Sequence, residues 1–305
     1  MAAIEVTDLT KDYGSVLGVD SLSFAVEEGE VFGFLGPNGA GKTTTIRTLL
    51  GLLAPTSGTA RVLGADVRDE DALIEAKRRI GYLPARLGFD EEVTGERVLD
   101  YHAAVKGDSR RDELLEVFTP PVERPIREYS TGNRRMLGIV QAFMHDPDLV
   151  VMDEPTSGLD PLKQEEFNEF IGSERERGTT IFFSSHVLSE VRRVCDRVGI
   201  LRAGRLVGLE DVETLLDRGG KRVRLRTTDG VRSELTALDG AFDVATVGPE
   251  VQFTYAGDYN ALLRELASHD VLDVEISEPP LEDVFIHYYG TGGAEEAGRE
   301  VTPDA

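Results

Sequence analysis

One short run limits this chain more than any other: Gly36-Pro37-Asn38-Gly39-Ala40-Gly41-Lys42-Thr43, which fits G-x-x-x-x-G-K-[ST]. It stands where such a turn works. Before it lies VFGFLG, an almost wholly apolar run suited to a strand buried on both faces. After it comes a helical pattern over about residues 42–52, closed by Gly51 and Pro55. Glycines let the backbone curl so that successive N–H groups and the helix N-terminus point at phosphate oxygens. Gly36, Asn38, Gly39, Ala40, Gly41, Lys42, Thr43 and Thr44 are therefore expected to cradle phosphates, with Lys42 on the β- and γ-phosphates and the Thr43 hydroxyl on magnesium.

From residue 3 to about 218, strand and helix patterns alternate. IEVTDL and LSFAV read as strands, residues 94–118 as two helices and residues 132–145 as another. LVVMD and TTIFFSS are continuous apolar strands separated by the amphipathic LKQEEFNEFIGSERER. Such alternation implies an α/β fold, a parallel sheet flanked by helices. After Gly219-Gly220 the texture changes. KRVRLRT, DVATVG, VQFTYAG and VLDVEIS are short strand candidates and NALLRELASHD a helix, which makes a small α+β domain of residues 219–290. TGGAEEAGREVTPDA, residues 291–305, lacks aromatics and reads as a disordered acidic tail.

The net charge of −23 is spread along the chain, which argues against a nucleic-acid surface, since that needs a basic footprint. Only 6 of the 33 basic residues are Lys, beside 56 Asp plus Glu. A composition rich in acids and poor in Lys resembles that of salt-loving cytosols, although a genome that favours Arg codons gives the same ratio of basic residues. No stretch approaches the roughly 20 apolar residues of a spanning helix. The N-terminus MAAIEVTDLTKDYG lacks the secretory pattern, so the chain is expected in the cytoplasm. The single Cys195, after VRRV, is expected to be a small core or helix-surface residue.

LVVMDE puts Asp153 at the end of a buried strand, where its carboxylate can serve a magnesium ion beside Thr43. Glu154 faces differently and is expected to polarise an attacking water. With these residues in view the chain resembles the ATP-binding cassette subunits of ABC transporters, across roughly residues 3–218. Tyr129-Ser130-Thr131-Gly132-Asn133-Arg134 is similar to the family signature, usually LSGGQ. Ser130 and Gly132 match, while Tyr129, Thr131 and Asn133 depart. Ser157-Gly158-Leu159-Asp160 matches the D-loop and His186 the switch histidine, a sensor of the γ-phosphate. Tyr13 sits where the family stacks a ring on adenine.

The resemblance implies a P-loop NTPase of the ABC type over residues 1–218: a mixed sheet core with a helical subdomain at about 88–146. It implies ATP and Mg2+ as ligands, and a homodimer or a dimer with a related cassette. In that dimer Ser130, Gly132 and Asp160 of one subunit close on the nucleotide held by the other. Lys42, Glu154 and His186 are the implied catalytic set. An integral membrane permease on a separate chain would hold the protein at the inner face of the cell membrane. The run from YSTGNRR to SGLDP and the ending EPPLEDVFIHYYG look like the subfamily of drug, sodium and multicopper-maturation exporters. One departure stands apart. IGYLP resembles the segment leading to the Q-loop, yet Ala85 stands where many members carry Gln. Ala85 offers no side-chain oxygen. Either hydrolysis is slow or completed by a partner's loop, as in a nucleotide-gated regulatory subunit, or a water fills the space.

Overall fold

The apolar runs become the centre of a computed structural model that describes residues 1–214, 220–228, 235, 238–248 and 250–277. β3 (Val31–Leu35), β7 (Leu149–Asp153) and β8 (Thr180–Ser185) are buried at every position. With β6 (Ile80–Leu83), β9 (Arg197–Arg202) and β10 (Arg205–Asp211) they form a six-stranded sheet in the order β10-β9-β3-β8-β7-β6. All pairings from β9 across to β6 are parallel. Their register sets Leu35 opposite Ser185, Asp153 opposite Ser184 and Leu83 opposite Met152, so four strands end along one edge. That edge is where ligands bind in open α/β sheets.

The alternation predicts one parallel sheet. The N-terminal strands instead build a second one: β1 (Ala2–Asp12), β2 (Leu17–Glu27), β4 (Ser57–Val62) and β5 (Ala65–Asp66), in the order β2-β1-β4-β5 and antiparallel throughout. The reason is local. A tight turn joins β1 to β2, with the Tyr13 N–H donating to Val16 O at 3.0 Å, and so short a connection permits only antiparallel pairing. Phe24 from β2 stacks on Phe32 of β3 and Phe182 of β8 at centroid distances of 5.7 and 6.2 Å, which joins the two sheets through one aromatic core.

Between β6 and β7 the chain is helical: α3 (Gly95–Lys106), α4 (Arg111–Phe118), a single 3-10 turn (Ile126–Glu128) and α5 (Thr131–Phe143). Thr94 caps α3 by accepting from the Arg97 N–H. α5 follows the expected helix of residues 132–145, shifted to begin at Thr131. α6 (Pro161–Arg177) runs from β7 toward β8, and α7 (Leu188–Val194) follows β8. Arg110 and Glu174, both buried, form a two-pronged pair at 2.6 and 2.7 Å that ties the start of α4 to α6. Cys195, just past α7, is buried, as expected, and burial holds its thiol well above the ordinary pKa.

The chain divides into two compact units, Met1–Glu210 and Asp211–Ala305, whereas the change of texture in the sequence falls at Gly219-Gly220. The second unit holds β11 (Lys221–Thr227), β12 (Ala241–Val247), β13 (Glu250–Tyr255) and β14 (Val271–Ser277), antiparallel in the order β12-β13-β11-β14. α8 (Tyr259–Leu266) sets Leu262 and Leu266 into a core with Val223, Leu225, Phe253 and Tyr255. EPPLEDVFIHYYG and the expected tail 291–305 lie outside the described residues.

Candidate active site

Four loops meet at the carboxyl edge of the six-stranded sheet, and the loop after β3 sets the geometry. It enters α1 (Lys42–Leu49) through Gly41 at φ 108, where a Cβ would stand 2.5 Å from Gly18 O; only glycine fits. No side chain caps α1, so its first turn presents N–H donors and the positive dipole end to an anion. The helix stops at Leu49, short of the expected Leu52, because Gly51 turns the chain at φ 61. The Ala40 N–H donates to Pro37 O, which closes the loop, while Asn38 and Gly39 stay exposed at its tip.

Lys42 is buried at 6% exposure, and its ammonium donates to Gly36 O at 2.6 Å. The same nitrogen lies 3.2 Å from Glu154 Oε1. One residue along α1, the Thr43 hydroxyl donates to Asp153 Oδ2 at 2.7 Å. Thr44 follows, half-buried in the first turn. Asp153 is 1% exposed and its second oxygen accepts from the Ser184 hydroxyl. The chain then leaves the strand at Glu154 with φ 53, a left-handed conformation that costs a non-glycine residue roughly 1–2 kcal/mol. That kink sends the two adjacent carboxylates apart: Asp153 toward Thr43, Glu154 toward Lys42 and His186. His186 Nδ1 lies 2.6 Å from Glu154 Oε2, and since a carboxylate only accepts, the imidazole is assigned as donor. Lys42, Thr43, Asp153, Glu154 and His186 thus form one cluster.

The remaining sequence-predicted residues hold other places. Tyr13 is 52% exposed and lies against Gly18, the residue whose carbonyl abuts Gly41, so its ring flanks the phosphate loop. Ser130 caps α5 by accepting from the Asn133 N–H at 3.2 Å, and Asp160 caps α6 by accepting from the Lys163 N–H at 3.0 Å. Gly132 faces the Gly158 turn, where an added Cβ would lie 3.2 Å from Gly158 O. Among the described residues no hydrogen bond links Ser130, Gly132 or Asp160 to the loop of residues 36–43.

Two residues escaped the sequence reading. Arg135, buried on α5, donates to Pro84 O at 2.9 Å, to Ala85 O at 3.0 Å and to Ser157 O at 3.3 Å. Burial pushes its guanidinium below the usual pKa, and the charges of Asp153 and Glu154 push it back up. It ties the loop after β6 to the loop after β7. Its signal was a charge set directly before MLGIV, on the apolar face of a helix. Glu190 of α7 accepts from Ser185 Oγ at 2.7 Å and from the Thr156 hydroxyl, which ties the loops after β7 and β8. No local pattern announces that contact.

This constellation has counterparts among known proteins. The ABC transporter family model matches residues 19–157. The bacitracin transport ATP-binding protein BcrA of Bacillus licheniformis is 36% identical, across 95% of this chain and 98% of that protein. The Nod factor export ATP-binding protein I of Rhizobium etli is also 36% identical, across 95% of this chain and 94% of its own length. Among solved structures, a dimeric post-hydrolysis ATP-binding cassette bound to ADP and Pi has the same fold, with a TM-score of 0.62 at 21% identity, across 68% of this chain and 98% of that one. On its sequence relatives and its site, the chain belongs to the ABC transporter family, as one of its ATP-binding, ATP-hydrolysing subunits.

Proposed function

We propose that the chain is the engine of an exporter: it dimerises around two ATP molecules with a second copy or a related cassette and drives a permease on a separate chain. The observation that carries this reading is the single cluster of Lys42, Thr43, Asp153, Glu154 and His186, drawn from three loops at one sheet edge. The names of the bacitracin and Nod factor relatives support transport and export. No helix among the described residues is long and apolar enough to cross a membrane, which accords with a separate permease. The protein then works on the cytoplasmic face of the membrane, held there by that partner.

The donors fit a magnesium ion, because Thr43 Oγ1 and Asp153 Oδ2 are hard oxygens already 2.7 Å apart. A magnesium ion held by these two oxygens would supply neutralisation of phosphate charge. The rest of the chemistry belongs to the side chains. Lys42 exchanges Glu154 for the phosphate oxygens of ATP and the N–H groups of α1 close round them. Glu154, released from Lys42 and still held by His186, accepts a proton as the water oxygen bonds to the γ-phosphorus; the bond to ADP breaks and ADP leaves with the electron pair. Ser130 and Gly132 make no hydrogen bond to the loop of their own chain among the described residues, which supports a role for them on nucleotide held by the partner. The dominance of acids further supports a protein adapted to a salt-rich cytosol.

Sedimentation of the full chain tests the dimer. With ATP and magnesium, the Glu154→Gln variant should sediment as a dimer, and the wild type should return to monomer as ATP is consumed. A variant that stays monomeric at saturating ATP contradicts the reading.

A further inference from the structure

Several helices of this chain open on acidic residues. Glu70 and Asp71 of α2 (Glu70–Lys77) and Glu96 of α3 stand exposed in first turns, where a carboxylate needs only to favour the positive end of the helix dipole. Glu190, in the first turn of α7, differs: it is half-buried and both of its oxygens are engaged. One accepts from the Ser185 hydroxyl at 2.7 Å, the other from the Thr156 hydroxyl. Both partners are buried, and neither is a basic residue, so the contacts are directional hydrogen bonds and not a surface ion pair.

The two hydroxyls flank the pair of Glu154 and His186. Ser185 directly precedes His186, and its Oγ accepts from the Val187 N–H at 2.8 Å, which folds the backbone into a tight turn around the histidine. The Ser185 proton has two acceptors in reach, Glu190 Oε2 at 2.7 Å and Val187 O at 3.2 Å, and the shorter, charged one takes it. Thr156 follows Glu154 by two residues, in the turn where the Ser157 N–H donates to Glu154 O at 3.2 Å and the Leu159 N–H to Thr156 O at 3.0 Å. One carboxylate thus pins the turn that carries Glu154 and the turn that carries His186, whose side chains meet at 2.6 Å. The base of that carboxylate is fixed as well. Val191, next along α7, is buried against β3 at Gly33, where an added Cβ would stand 2.8 Å from Val191 Cγ1 and 2.9 Å from Cys195 Sγ.

We propose that Glu190 is a positioning residue for ATP hydrolysis: through Thr156 and Ser185 it holds Glu154 and His186 in the mutual geometry in which Glu154 accepts the proton of the attacking water. It acts through its two hydroxyl partners and not on the nucleotide itself. The proposal rests on the assignment of Glu154 as proton acceptor. A side chain that only closes a helix can be removed with a loss of stability alone. One that sets the geometry of a proton acceptor changes the rate of the chemical step.

The test measures phosphate release by the full-length chain with ATP and magnesium. Glu190→Ala should lower kcat about tenfold while KM for ATP stays within about threefold, because only the chemical step needs the fixed geometry. Glu190→Gln should return to within about threefold of the wild-type rate, since its amide offers one acceptor and one donor and a hydroxyl takes either role. Adding Thr156→Val to Glu190→Ala should cost little more, as both remove the same tie. NMR of selectively labelled histidines gives a readout independent of turnover: the Nδ1 proton of His186, assigned with His186→Gln, should exchange faster in Glu190→Ala than in the wild type. Should Glu190→Ala fail to fold, Ser185→Ala and Thr156→Val each remove one arm and should each lower kcat about threefold with the His186 signal altered. A folded Glu190→Ala with wild-type kcat, a rise in KM at unchanged kcat, a Gln variant as slow as the Ala variant, or an unmoved His186 signal would overturn the role. Glu154→Gln measured beside them keeps the two readings apart. If it is slow while Glu190→Ala is unaffected, the positioning role alone falls; if it is as fast as the wild type, the proton acceptor on which that role rests falls with it.

Discussion

Arg135 shows how one residue carries information between loops. Its planar fork satisfies three carbonyls from two segments, a geometry that a lysine cannot reproduce. As a positioning residue it should affect rate more than nucleotide binding. Arg135→Met is expected to lower kcat for ATP hydrolysis about tenfold while KM for ATP stays within about threefold, and Arg135→Lys to recover only part of the loss. A parallel rise in KM with unchanged kcat would assign the residue to binding instead. At this scale the sequence told most where function is written locally. The spacing of Gly36 to Thr43 and the pair Asp153-Glu154 locate the cluster because each is fixed by one turn or one strand end. Arg135 and Glu190 stayed hidden because Pro84 and Ala85 lie far along the chain from the one, and Thr156 from the other, and meet them only through tertiary packing.

Among the elements, the helical segment between β6 and β7 is tied to α6 by a buried ion pair. Arg110 and Glu174 are both buried, and Thr179 Oγ1 adds a third contact to the same carboxylate at 3.2 Å. Removing one partner of a buried pair leaves an uncompensated charge, so Glu174→Gln should cost about 3 kcal/mol of unfolding free energy. Chemical denaturation of wild type and variant measures it, and a loss below about 1 kcal/mol would show that Glu113 and Asp146 suffice as counter-charges for Arg110. The strands with apolar centres were readable because burial on both faces confines their polar residues to the ends. The separate antiparallel sheet was less so. IEVTDL and LSFAV read as strands no different from those of the parallel sheet, and the tight Tyr13 to Val16 turn between them sets their antiparallel pairing.

The molecule as a whole carries its acids without enough bases to pair them, and repulsion at long range weakens with salt. Raising KCl from about 0.1 M, where the screening length is about 10 Å, to molar concentrations should raise both the thermal midpoint and ATP turnover. Full activity and an unchanged midpoint in dilute buffer would remove the adaptation to salt. The two-unit division sets a third sheet with its own core in a unit that begins at Asp211, to which no site residue belongs. The central claim is that one cluster at the sheet edge hydrolyses ATP with Glu154 as proton acceptor. It is tested most directly by phosphate release from the full-length chain with ATP and magnesium, compared with Glu154→Gln. The account predicts that the variant binds ATP as tightly as the wild type and turns it over about a hundredfold more slowly or worse. Equal turnover by the two proteins would contradict it.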